Sequence, residues 1–393
     1  MTQNSQTQTR LVGDVALSSE VVQSNKTREG NGLTALRQGT KLPILAVTYW
    51  FDPEPHPTFY PVTIRFSGYR VDVEGQPSSH DQFVKDETIE HVIAGSGPIS
   101  VTTRVRNINA GEWAVTAHMQ KPQTAIEESR MHSHAIFPAR SQDPLARFWH
   151  RWAPSTEEGA SVKTCLTPYA HIPGTLPGIW GAMVLCGIVV ALVLQALVIE
   201  RLHLAVGYPW VISLIAIIVG IIGAKGWYFV LYRGIIGWCI QGFITGSSLA
   251  ASVLLLLLHV PVGAFLDATA PALLIAMAVG RIGCFFAGCC GGPLTASCWG
   301  VWSSDQRVGA RRIPTQLLEL GLAGILGLGI LVVLLAHGAR GGDFFVGGLA
   351  AYTLVRQGIL YLRAEQRKTE WWGWVTLVLA AFALIIVVLL LVR

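Results

Sequence analysis

The segment GRIGCFFAGCCGG, at residues 280–292, carries the residue types best suited to chemistry in this chain. Arg281 lies inside a stretch otherwise apolar enough to span a bilayer, and the thiols of Cys284, Cys289 and Cys290 follow it. A permanent cation at that depth is costly without an anionic partner. Phospholipid phosphate is the anion that a membrane always supplies, and the guanidinium fork fits two phosphate oxygens. The segment therefore indicates chemistry on lipid headgroups.

A second polar segment, RIPTQLLE at residues 312–319, opens the next predicted helix. Pro314 suits the first position of a helix. Arg312, Gln316 and Glu319 follow each other at spacings of four and three residues, which places them on one helix face. Because Glu319 lies at helix depth rather than in the loop, we expect it to be the partner of an arginine.

The distribution of charge divides the chain near residue 177. Residues 1–176 hold 33 charged side chains, and residues 177–393 hold only 20. The second part contains apolar runs close to the ~20 residues that cross a bilayer as a helix. The net charge of +5 reflects arginines at helix ends, so it does not indicate a nucleic-acid partner. We predict an all-α polytopic membrane domain of about seven transmembrane helices, at 177–199, 209–232, 234–258, 261–287, 314–336, 344–362 and 371–392.

The part before residue 177 has three intervals. Residues 1–40 are polar and aperiodic, which predicts a disordered lead-in. Residues 41–120 alternate apolar and polar side chains between turn signals, which predicts a small soluble all-β sandwich-like domain that folds alone. Residues 121–176 show no clear period and are interpreted as a linker. Within them, RFWHRW at 147–152 has the tryptophans and arginines of a membrane interface.

At the two polar segments, the sequence resembles the prolipoprotein diacylglyceryl transferase family of bacterial inner-membrane enzymes. GRIGCFFAG resembles the family's Gly-Arg-x-Gly-Asn-Phe-x-Asn-Gly signature, and RIPTQLLE resembles its Arg-His-Pro-Ser/Thr-Gln-Leu-Tyr-Glu, in the same order. Weaker similarities lie at residues 220–231, 262–274 and 347–363, the last containing Tyr352 and Arg356. The resemblance covers residues 177–393 and predicts a transferase-like membrane domain there.

Several positions depart from the family's pattern. Gln241 stands where the family carries a histidine, so the proposed base is absent. Cys284 and Ala287 replace the two signature asparagines, Cys289 replaces an acidic residue, and Ile313 replaces the histidine before the proline. The arginines that bind an anion are retained while the groups that titrate are not. Phospholipid binding is therefore better supported than the transfer reaction itself.

The reaction that the resemblance implies moves a diacylglyceryl group from phosphatidylglycerol to the lipobox cysteine thiol of a precursor protein, with glycerol phosphate leaving. It requires a cationic clamp on the phosphate and a means to form the thiolate. We assign the clamp to Arg281 and Arg312, and expect Asp267 or Glu319 to orient an arginine or accept a proton. We expect substrate contacts from residues on the same segments and on the flanking helices, namely Gly280, Gly283, Cys284, Gly288, Cys289, Gln241, Gln316, Tyr352 and Arg356.

Two interpretations from other classes stay open. The first is a non-catalytic lipid-binding or scaffold protein on the same fold, in which the β-domain recruits a partner. The second is a membrane thiol-disulfide protein that uses the cysteine cluster Cys284, Cys289, Cys290 and Cys298. The spacing of these cysteines lacks the paired ligands of a structural zinc site, so we expect no metal and no cofactor. A disulfide from Cys298 to Cys289 or Cys290 is the alternative in an oxidising compartment.

The family resemblance implies a multi-pass protein of the bacterial inner membrane, with the amino-terminal domain and the 291–313 loop outside the cytoplasm. The distribution of lysine and arginine favours the opposite orientation under the positive-inside rule. Arginines retained to bind an anion are poor reporters of topology, so we keep the orientation of the family. The expected partners are phosphatidylglycerol or another anionic phospholipid, a lipobox precursor and the membrane, without nucleic acid.

Overall fold

A computed structural model of the chain describes residues 43–73, 75–120, 143–152, 155–156, 158–203, 209–232, 239–364 and 371–392. The predicted lead-in at 1–40 and the turn between the second and third apolar runs lie outside these residues. The described part contains an amino-terminal region rich in β-strands and a following set of long helices.

The amino-terminal region contains two sheets. Its strands are β1 (Leu45–Phe51), β2 (Tyr60–Arg70), β3 (Gln82–Val92), β4 (Ile99–Val105), β5 (Glu112–Gln120), β6 (Ser155–Thr156) and β7 (Ser161–Cys165). One sheet has the order β3-β2-β5-β7, and the other begins β6-β1-β4. Alternating residues on the facing sides, such as Ile64, Phe66 and Val101, are fully buried in one shared apolar core. The alternation seen in the sequence therefore reflects one buried face on each strand.

The second sheet continues into the membrane half of the chain. Strands β8 (Val301–Ser304) and β9 (Val308–Arg312) form a hairpin, and β9 pairs antiparallel with β4, with Ser100 opposite Gly309. Asp305 shapes the hairpin turn because its Oδ1 accepts from the backbone N–H groups of Arg307 (3.0 Å) and Val308 (2.7 Å). The interval predicted as a loop is thus an ordered part of the β-region.

Part of the interval predicted as a linker is also folded. Helix α1 (Pro144–His150) begins at Asp143, whose Oδ1 accepts from the backbone N–H of Leu145 at 3.0 Å. Strands β6 and β7 pair with β1 and β5. The linker prediction differs from the structure here because a two-residue and a five-residue strand are too short to give a readable period.

Seven long helices follow among the described residues: α2 (Ile179–Arg201), α3 (Pro209–Tyr232), α4 (Ile240–Leu257), α5 (Val262–Ala287), α6 (Thr315–His337), α7 (Asp343–Tyr361) and α8 (Trp371–Val392). Four of them, α2, α3, α5 and α6, are long and apolar enough to cross a membrane. Helix α5 packs against α2, α6 and α7. Helices α3 and α4 approach closely at Gly223 and Gly242, where a Cβ on either would collide with the carbonyl of the other.

Contacts at the two ends of the helix bundle show which helix ends lie together. At one end, the backbone N–H of Leu176 donates to Phe286 O at 2.8 Å, so the start of α2, the end of α5 and the β-region share one face. At the other end, the α6–α7 turn closes on Asp267 of α5. Chain direction then places the start of α6 and the end of α7 at the first face, which we name the β-face.

Candidate functional site

Three arginines surround one buried carboxylate near the β-face. Glu319 of α6 has no exposed surface, and its two oxygens lie 2.5 Å from Arg281 Nη2 and 2.5 Å from Arg363 Nη2. Arg356 Nε is 3.8 Å from the same carboxylate. Three guanidinium charges against one carboxylate leave an excess of two positive charges in a largely apolar setting. We name these four residues the arginine cluster.

The helix ends explain why these residues meet. Arg281 lies six residues before the end of α5, and Glu319 is the fifth residue of α6. Arg356 lies five residues before the end of α7, and Arg363 lies two residues beyond that end. At ~1.5 Å per residue the first three are all within about 10 Å of the same bundle end. Arg363 therefore reaches Glu319 from the segment that follows the helix.

Several hydrogen-bond donors of the site have no acceptor. The buried Nε atoms of Arg356 and Arg363 make no hydrogen bond to a described residue, and the hydroxyl proton of Tyr352 has no acceptor there. Tyr352 is only 4% exposed, and its hydroxyl lies beside the guanidinium of Arg281. Buried donors are costly when unpaired. The arrangement therefore fits an anion with several acceptor oxygens.

A cluster of thiols adjoins the arginines. Cys284 lies in the last turn of α5, and Cys289 and Cys290 follow its left-handed cap at Gly288. The three sulfurs are within hydrogen-bonding reach of one another. The guanidinium groups of Arg281 and Arg363 are close enough to attract a negative charge on the sulfur of Cys290. The seven cysteines of the chain, all within the described residues, are free thiols, and Cys298 is exposed on the 291–300 loop.

Arg312 contacts other groups than the arginine cluster. Its Nη2 lies 2.7 Å from Asp305 Oδ2 and donates to the carbonyl of Val308, while Nη1 donates to Gly292 O. These contacts brace the β8–β9 hairpin and join it to the segment that follows α5. The structure thus places the two arginines of the predicted clamp on different carboxylates, Glu319 for Arg281 and Asp305 for Arg312.

Asp267 lies at the opposite end of α5 from Arg281. Its carboxylate accepts three backbone N–H groups, from Arg340 (2.7 Å), Gly342 (3.0 Å) and Phe344 (2.9 Å). The 14 residues between Asp267 and Arg281 correspond to about 21 Å of helix. Asp267 therefore caps the start of α7 instead of joining the arginine cluster.

Of the remaining predicted site residues, some contact the thiol segment and others lie elsewhere. Gln316 donates to Cys289 O at 2.8 Å, which joins α6 to the thiol segment. Gly283 and Gly288 allow close packing against Met183 and Ser304, and a Cβ on Gly280 would meet open space. Gln241 accepts from the thiol of Cys239 at 2.8 Å, and its described contacts do not reach the arginine cluster.

Arg363 is not among the site residues that the sequence predicts. Its position just after the predicted run 344–362, which carries Arg356, was the signal that could have placed it there. Among the described residues, no group of three His, Cys, Asp or Glu side chains is arranged to hold a metal ion.

Comparison with known proteins gives one clear family. The family model described as prolipoprotein diacylglyceryl transferase matches residues 171–392, which is more than half of the chain. No similarity to a curated protein reaches significance. The matched region includes helices α2 to α8, the β8–β9 hairpin, the arginine cluster and the thiols.

Proposed function

This chain belongs to the prolipoprotein diacylglyceryl transferase family, a family of transferases, and from that premise we propose that it transfers the diacylglyceryl group of phosphatidylglycerol to the lipobox cysteine of a precursor protein. The resemblance inferred from the two polar segments is confirmed by the family match. The specific donor, acceptor and reaction are the proposal.

The observation that carries the proposal is the excess of cationic donors in the arginine cluster. Glu319 neutralises only one of three guanidinium groups, and three buried donors lack acceptors. A phosphodiester supplies one negative charge and several oxygens, and its leaving phosphate gains a second charge during transfer. The cluster is therefore complementary to the charge that develops in the reaction.

We assign roles to the residues on this basis. Arg281 and Arg363 bind the phosphate of the donor lipid, and Arg356 and Tyr352 supply further hydrogen bonds. Glu319 positions the arginines rather than accepting a proton, because both of its oxygens already face a guanidinium. Arg312 and Gln316 hold the hairpin and the thiol segment at the rim of the site.

The same proposal includes the placement of the chain in its membrane. The apolar helices and the family make it an integral membrane protein. We propose that all seven long helices cross the inner membrane and that the β-face, with the sandwich-like β-region, is extracytoplasmic. That side is where a secreted precursor presents its cysteine.

One observation favours a second function. Gln241 replaces the family's histidine, and its described contacts do not reach the arginine cluster. A protein that binds phospholipid without transferring it would keep the arginines and lose the base. The third class, a thiol-disulfide protein, would use the free thiols beside the cluster.

The test uses the purified full chain in micelles with phosphatidylglycerol and a lipobox peptide. Transfer adds the mass of a diacylglyceryl group to the peptide, and a serine-for-cysteine peptide is the control. Binding of the lipid without any mass gain would assign the chain to the second function. If the chain neither binds the lipid nor transfers the diacylglyceryl group, the proposal is refuted.

A further inference from the structure

The thiol segment at residues 284–290 is not used by the proposed reaction, whose acceptor thiol arrives on another protein. It nevertheless lies beside the arginine cluster, where that acceptor must enter. Cys284 is nearly buried, while Cys289 and Cys290 are partly exposed. Cys289 and Cys290 are therefore not sealed inside the helix bundle.

The backbone holds Cys290 in an unusual conformation. Its φ is 60°, a left-handed value that residues other than glycine seldom adopt. The start of α6 fixes it there, since Thr315 Oγ1 donates to Cys290 O at 2.7 Å and Gln316 Nε2 donates to Cys289 O at 2.8 Å. Such conformations persist where the surroundings over-determine them, and they concentrate at functional sites.

The surroundings also favour the thiolate of Cys290. Hydrogen bonds from the thiols of Cys284 and Cys289 lower the pKa of Cys290, and the nearby guanidinium groups of Arg363 and Arg281 lower it further, against burial, which raises it. The thiolate is the nucleophilic form of cysteine. Cys289 is different, because its hydrogen bonds with the neighbouring thiols raise its pKa.

We propose that Cys290 is a modification site at which the protein diacylglycerylates itself, taking the group from a phospholipid whose phosphate binds the arginine cluster. The inference rests on the proposed function, since it uses the same donor site. It differs in the acceptor, which is a thiol of this chain. No separate base is required, which agrees with the absence of the family's histidine.

The step balances without a further reactant. The Cys290 sulfur attacks the glycerol carbon that carries the phosphate, so an S–C bond forms and that C–O bond breaks. The electron pair of the C–O bond stays on the phosphate oxygen. The thiol proton ends on the leaving glycerol phosphate. The product is a thioether, which hydroxylamine does not cleave.

The experiment incubates the purified full chain in micelles with phosphatidylglycerol, with and without a lipobox peptide, and measures intact and peptide masses. We expect one diacylglyceryl group on the peptide that contains Cys290, stable to hydroxylamine. Cys290→Ser should abolish the gain, and Cys298→Ser, on the exposed loop, should retain it. Alkylating the thiols of the parent protein with iodoacetamide should also block the mass gain. This second test needs no substitution, so it holds even if Cys290→Ser does not fold.

Each remaining outcome overturns the inference. A modified lipobox peptide beside an unmodified chain would leave the proposed function standing and refute self-modification. A hydroxylamine-labile adduct would show acyl transfer to the thiol instead of diacylglyceryl transfer. An adduct on Cys298 or Cys165 alone would show general thiol reactivity. Modification of neither chain nor peptide would refute both this inference and the transfer reaction.

Discussion

At the scale of residues, one buried carboxylate organises the candidate site. Glu319 contacts three arginines from two other parts of the chain, and none of these contacts is local in sequence. A carboxylate this deep is stable only because it is paired, and the arginines are held in place only because it is there. Its removal would leave three guanidinium groups repelling one another.

We therefore expect Glu319→Gln to lower the free energy of unfolding by roughly 3 kcal/mol, the loss typical of breaking a buried pair. Thermal unfolding of the purified protein in detergent measures this. Glu200→Gln, at the exposed end of α2, is the matched control and should change little. An anionic phospholipid should stabilise the Glu319→Gln protein, because it supplies the missing charge. Equal unfolding temperatures for both variants would contradict the role given to Glu319.

The sequence predicted several residues of this candidate site, but it did not predict which of them contact one another. Spacing and apolar context identified Arg281 and Glu319, and indicated that Glu319 would pair with an arginine. Which arginine pairs with which acid depends on contacts between helices, and no local pattern encodes them. Arg312 was therefore joined to Arg281 in the predicted clamp, whereas it contacts Asp305.

At the scale of elements, the apolar runs predicted the long helices closely. The fourth run, 261–287, corresponds to Val262–Ala287, and the fifth, 314–336, to Thr315–His337. Strand alternation also indicated β2, β4 and β5. The pairing of β4 with β9 joins residues about 200 positions apart, and a sequence pattern carries no signal for such pairing. The interval of β8 and β9 was predicted as a loop for that reason.

The shared sheet bears on whether the β-region folds alone, as the sequence predicts. Val308 and Ala310 of β9 belong to its apolar core, and Val162 of β7 packs in a second apolar cluster. Fragments of residues 41–125 and 41–170 both lack β9, but only the shorter one also lacks β7, so we expect it to have the lower unfolding temperature. Circular dichroism during heating compares the two. Equal temperatures would show that β7 contributes nothing to stability.

Asp267 makes a separate prediction about the far end of the bundle. Asp267→Asn replaces one acceptor oxygen by an NH₂ group that faces backbone donors at the start of α7. We expect a loss of about 1 to 3 kcal/mol in stability, the cost of unsatisfied buried polar groups. Phosphatidylglycerol binding should be unchanged in the protein that remains folded. Asp343→Asn, in the first turn of α7, is the control. A loss of lipid binding without a loss of stability would place Asp267 in the site.

At the scale of the whole molecule, the β-region and the arginine cluster lie at one end of the helix bundle. The hairpin between α5 and α6 is a strand pair of the amino-terminal sheet, and Arg307 of its turn contacts Glu87 and Thr88 of β3. The β-region is therefore joined to the segment between the helices that carry Arg281 and Glu319. This connection places the amino-terminal region beside the candidate site.

The proposed orientation is tested by thiol labelling in intact cells. A membrane-impermeant maleimide should label Cys298, and the label should be lost from that position in Cys298→Ser. A cysteine placed by Arg340→Cys, in the turn between α6 and α7, should react only after permeabilisation. The reverse pattern would invert the protein and place the β-region in the cytoplasm, in agreement with the positive-inside rule.

The central claim is that the arginine cluster binds the phosphate of an anionic phospholipid, and phosphatidylglycerol affinity tests it most directly. Titration of the full chain should show Arg281→Lys and Arg363→Lys weakened by roughly 10-fold or more, because charge-assisted hydrogen bonds contribute about 1.5 to 3 kcal/mol. Lysine keeps the charge and loses the fork. Arg201→Lys, at the far end of α2, should bind like the parent. Parental affinity in all three variants would contradict the account.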